Sequence, residues 1–290
     1  MGADREDDPK ESEAGSVDSK ARSVPGERGA GPEARGSQGE RARHPRRRVA
    51  AVVAIVCLVA LVAGAVYLHQ RDHYVPAGET RIVLVGEVHG KKSQYDEELR
   101  VWESRYSSGS RDLFVELPYY TAQYLNLWMS ADDDAILNQL WEDWDGTAAQ
   151  NADYFELLRS IKRECPQTAF HGTDVGHQYQ TTGERYLAYA SERYGADSEE
   201  VTLARECVNQ GIHYYEQTDC DDDYREACMV ANFERAYDAL GTKSVVVGFY
   251  GAAHSDPRGK SFNGHVDSMA NQLRQHYGDV VSYQYAGAIV

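Results

Sequence analysis

The chain has 290 residues, room for one sizeable domain or two small ones. It carries 30 Lys and Arg against 46 Asp and Glu, a formal net charge of −16. So acidic a balance argues against a nucleic-acid ligand and against anionic lipid headgroups, the partners that basic patches recognise.

Residues 1–48 are rich in Gly, Ser, Arg, Glu and Asp and contain no aromatic residue. Such a segment cannot bury enough apolar surface to offset its chain entropy, so a disordered tail is expected. "VAAVVAIVCLVALVAGAVYL" follows, Val49 to Leu68, without a charge. As a helix it would rise about 30 Å, the thickness of a bilayer's hydrocarbon core. "RARHPRRR" stands just before it, and basic residues stay on the cytoplasmic side. The expectation is a cytoplasmic N-terminus, one transmembrane helix over 49–68 and a cell-membrane protein whose domain is extracytoplasmic. The length of the tail and of the span favours an uncleaved anchor over a signal peptide.

Residues 69–79 read as a linker and 80–290 as the outer domain. The tail holds 11 basic and 10 acidic residues, leaving 19 and 36 for the rest, a net of −17. That charge suits the collection of divalent cations, and equally suits plain solubility. Cys57 falls in the span; Cys165, Cys207, Cys220 and Cys228 lie beyond it, with no C-x-x-C among them. Structural bridges or buried thiols are both open, and sequence does not choose among the three pairings.

In the outer domain apolar runs alternate with helix-patterned segments. "RIVLVG" (81–86) is a β-branched run of strand length. Tyr95, Leu99, Trp102 and Tyr106 then share one helical face, and Gly109 suits its end. "DLFVEL" (112–117) reads as a second strand stopped by Pro118, and "YYTAQYLNLWM" as a helix. Further helices are expected from Ala131 to Arg163 and over most of 183–240, with "TAFHGTD" (168–174) as a third strand. "SVVVGFYG" (244–251) and "VVSYQYAG" (280–287) are the last strands, with "HVDSMANQLRQHYG" as a helix between them. The alternation predicts an α/β fold: a mainly parallel central sheet flanked by helices, with a helical insertion.

Two of these strands end alike. Gly86-Glu87-Val88-His89 and Gly251-Ala252-Ala253-His254 are the two places where His follows Gly by three. In an open α/β sheet, ligands bind outside the carboxyl ends of the strands. There the first strand offers Glu87 and His89, the second Glu116, the third His171 and Asp174, and the fourth His254 with Ser255 and Asp256. Histidine and carboxylate together serve two chemistries. They can hold a divalent metal such as Mn, Co or Zn, for which His89, Glu116 and His254 are the candidate ligands. Or one His, oriented by a carboxylate, acts as general base on water. Each residue alone has a plainer reading, as turn chemistry or an interior histidine; convergence at one rim is what favours function.

In "YREACMVANFERAYDAL", Met229, Phe233, Tyr237 and Leu240 define a buried stripe. Arg225 and Asn232, two turns apart, share its flank and can reach the rim; a surface ion pair is the plainer reading for Arg225. "DCDDDY" and "ADDDA" lack EF-hand spacing and read as loops or helix N-termini. G-x-S-x-G and H-E-x-x-H are missing, which disfavours a serine hydrolase of the α/β type and a zincin.

Taken in order, "VLVGEVHG", "FVELPYY", "FHGTD", "REACMVAN" and "VVVGFYGAAH" resemble the motifs of the Tiki/TraB, ChaN and erythromycin-esterase superfamily, over about Arg81 to His254. The resemblance implies different things by branch. Tiki-like members are membrane-tethered, metal-dependent peptidases with both histidines and the glutamates at the site. Esterase-like members open a macrolide lactone with a histidine and a glutamate acting on water. ChaN-like members bind haem, largely through other residues. Here the anchor and Gly-Ala-Ala-His are similar to the first branch, and "RExxMxxN" to the second.

The leading expectation is therefore a membrane-anchored extracytoplasmic hydrolase of a peptide or ester bond. His89, Glu87, Glu116 and His254 form its site, Asp174 and Arg225 support them, and its partner is a peptide, ester or small-molecule substrate. The second is a ChaN-type protein that binds haem or a small ligand in the same cleft without chemistry. The third is a catalytically inert scaffold offering its acidic surface to other proteins.

Overall fold

The computed structural model describes residues 80–241 and 244–286. The expected tail, span and linker lie outside the described residues, among which no helix is long and apolar enough to cross a membrane.

Five strands form the sheet: β1 (Ile82–Glu87), β2 (Asp112–Pro118), β3 (Ala169–Asp174), β4 (Val246–Gly251) and β5 (Val281–Tyr285). Between β1 and β2 runs α1 (Lys92–Ser107). Between β2 and β3 run α2 (Tyr119–Met129), α3 (Ala135–Asp143) and α4 (Ala152–Glu164). The β3–β4 connection holds α5 (Glu184–Tyr194), α6 (Glu199–Ile212) and α7 (Asp222–Leu240). A short α8 (Ala252–Ser255) and α9 (Met269–Tyr277) lead to β5. The strand order is β3-β2-β4-β1-β5, and every pairing is parallel.

Continuous β-branched and aromatic runs make this sheet, because a parallel sheet is covered on both faces. Val83, Val85, Leu113, Val115, Val247 and Phe249 point to one face, under Tyr95, Trp102, Leu125, Trp128, Leu140 and Leu158 of α1 to α4. Ile82, Leu84, Phe114, Val246 and Tyr250 point to the other, under Met229, Phe233 and Tyr237 of α7 and Leu273 of α9. The expected stripe on α7 is therefore a core stripe. Short polar residues start the helices: Asn151 accepts from the amides of Asp153 and Tyr154, and Ser198, Asp221 and Ser268 cap α6, α7 and α9. Each such cap is worth about 1 kcal/mol.

The helices change faces after β3, and β4 enters between β1 and β2. The carboxyl ends of β1, β4, β2 and β3 consequently stand in a row at the switch in connectivity, the usual ligand crevice of such sheets. β2 is irregular there. Its register against β3 shifts between Val115 and Pro118, so Glu116 sits in a bulge, a device that re-aims a side chain. Gly172 opposite makes the bulge tolerable, since a Cβ there would lie 2.3 Å from the Pro118 carbonyl oxygen.

Two details depart from expectation. The last helix starts at Met269 rather than near His265, because Ser268 caps it and Lys260 and Asp267 bridge the loop before it. Of the two cysteine readings, the thiols hold: Cys165, Cys207 and Cys228 are buried and free, and Cys220 is exposed and free.

Candidate active site

β1 ends at Glu87, and Val88, His89 and Gly90 turn the chain into α1. The His89 Nδ1 lies 2.5 Å from Glu87 Oε1, so the carboxylate two residues back fixes the ring. That leaves Nε2 facing a cavity of about 350 Å³, with Glu116 Oε1 3.8 Å away. The bond to Glu87 raises the pKa of His89; burial opposes it, Glu116 adds to it, and the result is about 9.

Glu116 projects from the β2 bulge and is divided between two partners. Its Oε2 accepts from the Gly251 amide at 2.6 Å and its Oε1 accepts from Arg225 Nη2 at 2.6 Å. Burial works against its charge, but His254, Arg225 and His89 together hold its carboxyl below the ordinary value.

Arg225, in the first turns of α7, makes a two-pronged bond with Asp174 at the end of β3. Nε donates to Oδ1 at 2.9 Å and Nη2 to Oδ2 at 2.6 Å. Planar guanidinium and carboxylate match in this way, and Arg is the residue that makes such paired bonds. Burial penalises the Asp174 charge, yet Arg225 and then His177 overcome that and keep it well below the usual carboxylate range. Nη1 of Arg225 has no carboxylate partner; its neighbour is His254 Nε2 at 3.3 Å.

His254 differs from His89. It is buried on α8, with Nδ1 2.6 Å from Glu226 Oε1, and the other Glu226 oxygen accepts from the Met269 amide at 2.8 Å. Its Nε2 faces Arg225, which needs an acceptor, and Glu116 Oε1 at 3.5 Å, which needs a proton. Burial lowers its affinity for that proton, but Glu116 and Glu226 outweigh burial, and its pKa lies above the ordinary imidazole value.

The six residues proposed from sequence thus meet: Glu87, His89, Glu116, Asp174, Arg225 and His254. Four others do not. His171 lies within β3, stacked on Phe114 and bonded to Asp112 at 2.9 Å, because its register is three residues short of the strand end. Asn232 is buried beneath the rim, donating to the Thr173 carbonyl and to Gln210, so it fixes the end of β3. Ser255 donates to the Gly251 carbonyl and packs over Gly86, and Asp256 accepts from the Arg258 amide.

Sequence reasoning gave no role to Glu226 or His177. Glu226 sits inside "REACMVAN", one residue after Arg225, and holds His254. His177, three residues after Asp174, bonds it at 2.9 Å and reaches Tyr215 through Nδ1. Glu98, Tyr95, Trp144 and Tyr154 also line the cavity; their helical spacing reads as core.

The trio expected to hold a metal does not fit one in this arrangement. The guanidinium of Arg225 lies 3.3 Å from His254 Nε2 and 2.6 Å from Glu116 Oε1, a fixed positive charge against two of the three donors. Among the described residues no three His, Cys, Asp or Glu side chains are grouped to ligate a metal.

Neither a family model nor a curated protein matches this sequence. Solved structures match in fold. A succinoglycan biosynthesis protein superposes with a TM-score of 0.53 at 10% identity, over 71% of this chain and 65% of that one. A Bacillus cereus protein gives 0.50 at 13%, over 72% and 66%. An erythromycin esterase, EreC, in its open conformation gives 0.48 at 12%, over 71% and 69%. The chain spans just under two thirds of the first two proteins, and the likeness is one of fold.

Proposed function

We propose that the chain is a hydrolase of an ester or peptide bond whose base is His89, with no step routed through a metal. One observation carries the reading. His89 is held through Nδ1 by Glu87 while its Nε2 opens on a cavity that also presents a guanidinium. A base oriented by a carboxylate and placed opposite a cationic group is what hydrolysis of a carbonyl needs.

In the proposed reaction, neutral His89 takes a proton from water, and the oxygen attacks the substrate carbonyl carbon. The carbonyl π electrons move to oxygen, where the Nη1 side of Arg225 meets the charge. Collapse breaks the bond to the leaving group, which receives the proton from His89. Glu116 and Asp174 hold the guanidinium in place, and Glu226 with His254 supports it from behind. The anchor over 49–68 and an extracytoplasmic domain belong to the same proposal, since that stretch carries no charge and a basic run stands just before it.

The full-length protein should hydrolyse members of a panel of p-nitrophenyl esters, lactones and peptides, and His89→Ala should abolish the turnover. A panel with no His89-dependent hydrolysis at any pH from 6 to 10 removes the reading. Accessibility of the C-terminal domain to added protease in intact cells tests the orientation; protection there would place the domain inside.

A further inference from the structure

The cavity is lined by two kinds of group. His89, Glu116, Asp174 and Arg225 make the first. Tyr95, Tyr154 and Trp144, with Glu98 of α1, make the second. Tyr95 and Tyr154 have ring centroids 5.6 Å apart, and Trp144 follows Tyr154 at 6.0 Å.

Glu98 is 1% exposed, and its Oε1 meets no hydrogen-bond partner. Glu87 Oε2 and the indole N–H of Trp144 are likewise buried and unpartnered. Buried polar atoms are nearly always satisfied, so several left open around one cavity point to a ligand that completes them. The charges say which kind. Arg225 is engaged by Asp174 and Glu116, and His89 by Glu87. Among the described residues no cation pairs with Glu98, and the carboxyl groups that act on it are Glu87 and Glu116. A carboxyl among aromatic faces, with a second carboxylate near, is a setting that a positively charged nitrogen fits.

We propose that this aromatic part of the cavity is a subsite for an organic ammonium group, seated among Tyr95, Trp144 and Tyr154 with its N–H directed at Glu98. An oxygen next to the nitrogen would accept from the Trp144 indole. Burial first, then Glu87 and Glu116, pushes the carboxyl of Glu98 well above the ordinary value. Tyr95 on the same helix and Tyr154 on α4 complete the titratable groups facing it, and burial raises both phenols, Tyr95 to about 12, so they stay neutral. An arriving ammonium ionises Glu98 and releases its proton. The inference rests on the hydrolase reading only in naming the ligand as substrate.

The test compares two molecules of one shape. N,N-dimethylethanolammonium is charged, and 3-methylbutan-1-ol is its neutral counterpart. Titrated into full-length protein at pH 6 and followed by tryptophan fluorescence, the charged probe should bind about tenfold more tightly or better. Glu98→Gln should erase that preference. Calorimetry in two buffers of different ionisation enthalpy should show a proton released on binding to the wild type, which decides the matter should the variant fail to fold. Equal binding of both probes to the wild type overturns the proposal. So does an undiminished preference in Glu98→Gln, or binding without proton release. Since turnover is not measured, an ammonium preference without His89-dependent hydrolysis would retire the hydrolase reading and leave the subsite standing. Hydrolysis without the preference would do the reverse.

Discussion

The two Gly-x-x-His segments have the same spacing and opposite fates. After β1 the chain passes through an open turn, which carries His89 out to the cavity with its side chain 45% exposed. After β4 it coils at once into α8, and a helical rise of about 1.5 Å per residue, against about 3.3 Å when extended, draws His254 back to 10% exposure behind Arg225. Their carboxylate partners follow the same division. Glu87 is two residues away along the strand end, whereas Glu226 comes from α7 and is itself pinned by the Met269 amide. One histidine is therefore free to exchange protons with a ligand, and the other is part of the frame that fixes a guanidinium.

Removing each ring is the strongest way to break that contrast. His89→Ala should lower kcat/KM by about 10²–10⁴-fold, the range of a lost general base, with a smaller loss of stability than at the buried histidine, because its ring is 45% exposed. His254→Ala should instead destabilise by about 3–5 kcal/mol, as Glu226 and the Arg225 side lose a buried partner. Thermal unfolding of both variants beside the ester assay checks this; a loss of stability in the first as large as in the second would show the division of labour to be wrong.

Glu87→Gln sharpens the same contrast through pH. In the native protein His89 must lose a proton before it can act, so kcat/KM should rise with pH through about 9. Without Glu87 the midpoint should fall towards the ordinary imidazole value of about 6.5, with the plateau about tenfold lower because the ring is no longer held. Stability runs the opposite way. A raised histidine pKa gives stability that is complete below the unfolded value of about 6.5 and lost as pH climbs through the folded value. The variant should lose that pH-dependence between the two. A profile identical to wild type would detach Glu87 from His89.

The two glycines offer a smaller test. A Cβ at Gly251 would sit 3.2 Å from His89 Nε2 and 3.3 Å from Glu116 Oε2, inside the site. At Gly86 it would meet Ser255 Oγ at 2.4 Å and Tyr283 at 2.7 Å, inside the packing. Gly251→Ala should cost severalfold in activity with little stability, and Gly86→Ala about 1–3 kcal/mol of stability by overpacking. Kinetics and thermal unfolding on the pair read both; matching effects would mean the glycines serve one purpose.

Much of this is legible in the sequence. Local pattern marks each strand to within about two residues, because buried parallel strands are written as unbroken apolar runs and end where Gly and charged residues begin. The rim followed from topology, which brings Glu87, Glu116 and Asp174 into a row whatever the helices do. What stayed hidden depends on contacts distant in sequence. Glu226 looks like any helix glutamate until α9 supplies the Met269 amide, and Glu98 falls between Tyr95 and Trp102 in a stripe that reads as core. The helix pattern brings Arg225 to the rim, but its paired bond with Asp174 and its bond to Glu116 need the coming together of α7, β3 and β2.

His171 closes the comparison, as a histidine that shares a strand with Asp174 and lacks the Gly-x-x-His spacing. Its register places it beside Phe114 in β2, three residues before the strand end, where it stacks on that ring at 4.7 Å and bonds Asp112. Nothing about its chemistry is inferior to that of His89; its place along the strand alone sets it apart. His171→Ala should therefore leave kcat/KM within about twofold while lowering stability by about 1 kcal/mol, the cost of a partly buried polar bond and a ring contact. If turnover fell as far as in His89→Ala with the fold intact, the rule that position along the strand separates working from structural histidines would fail in this molecule.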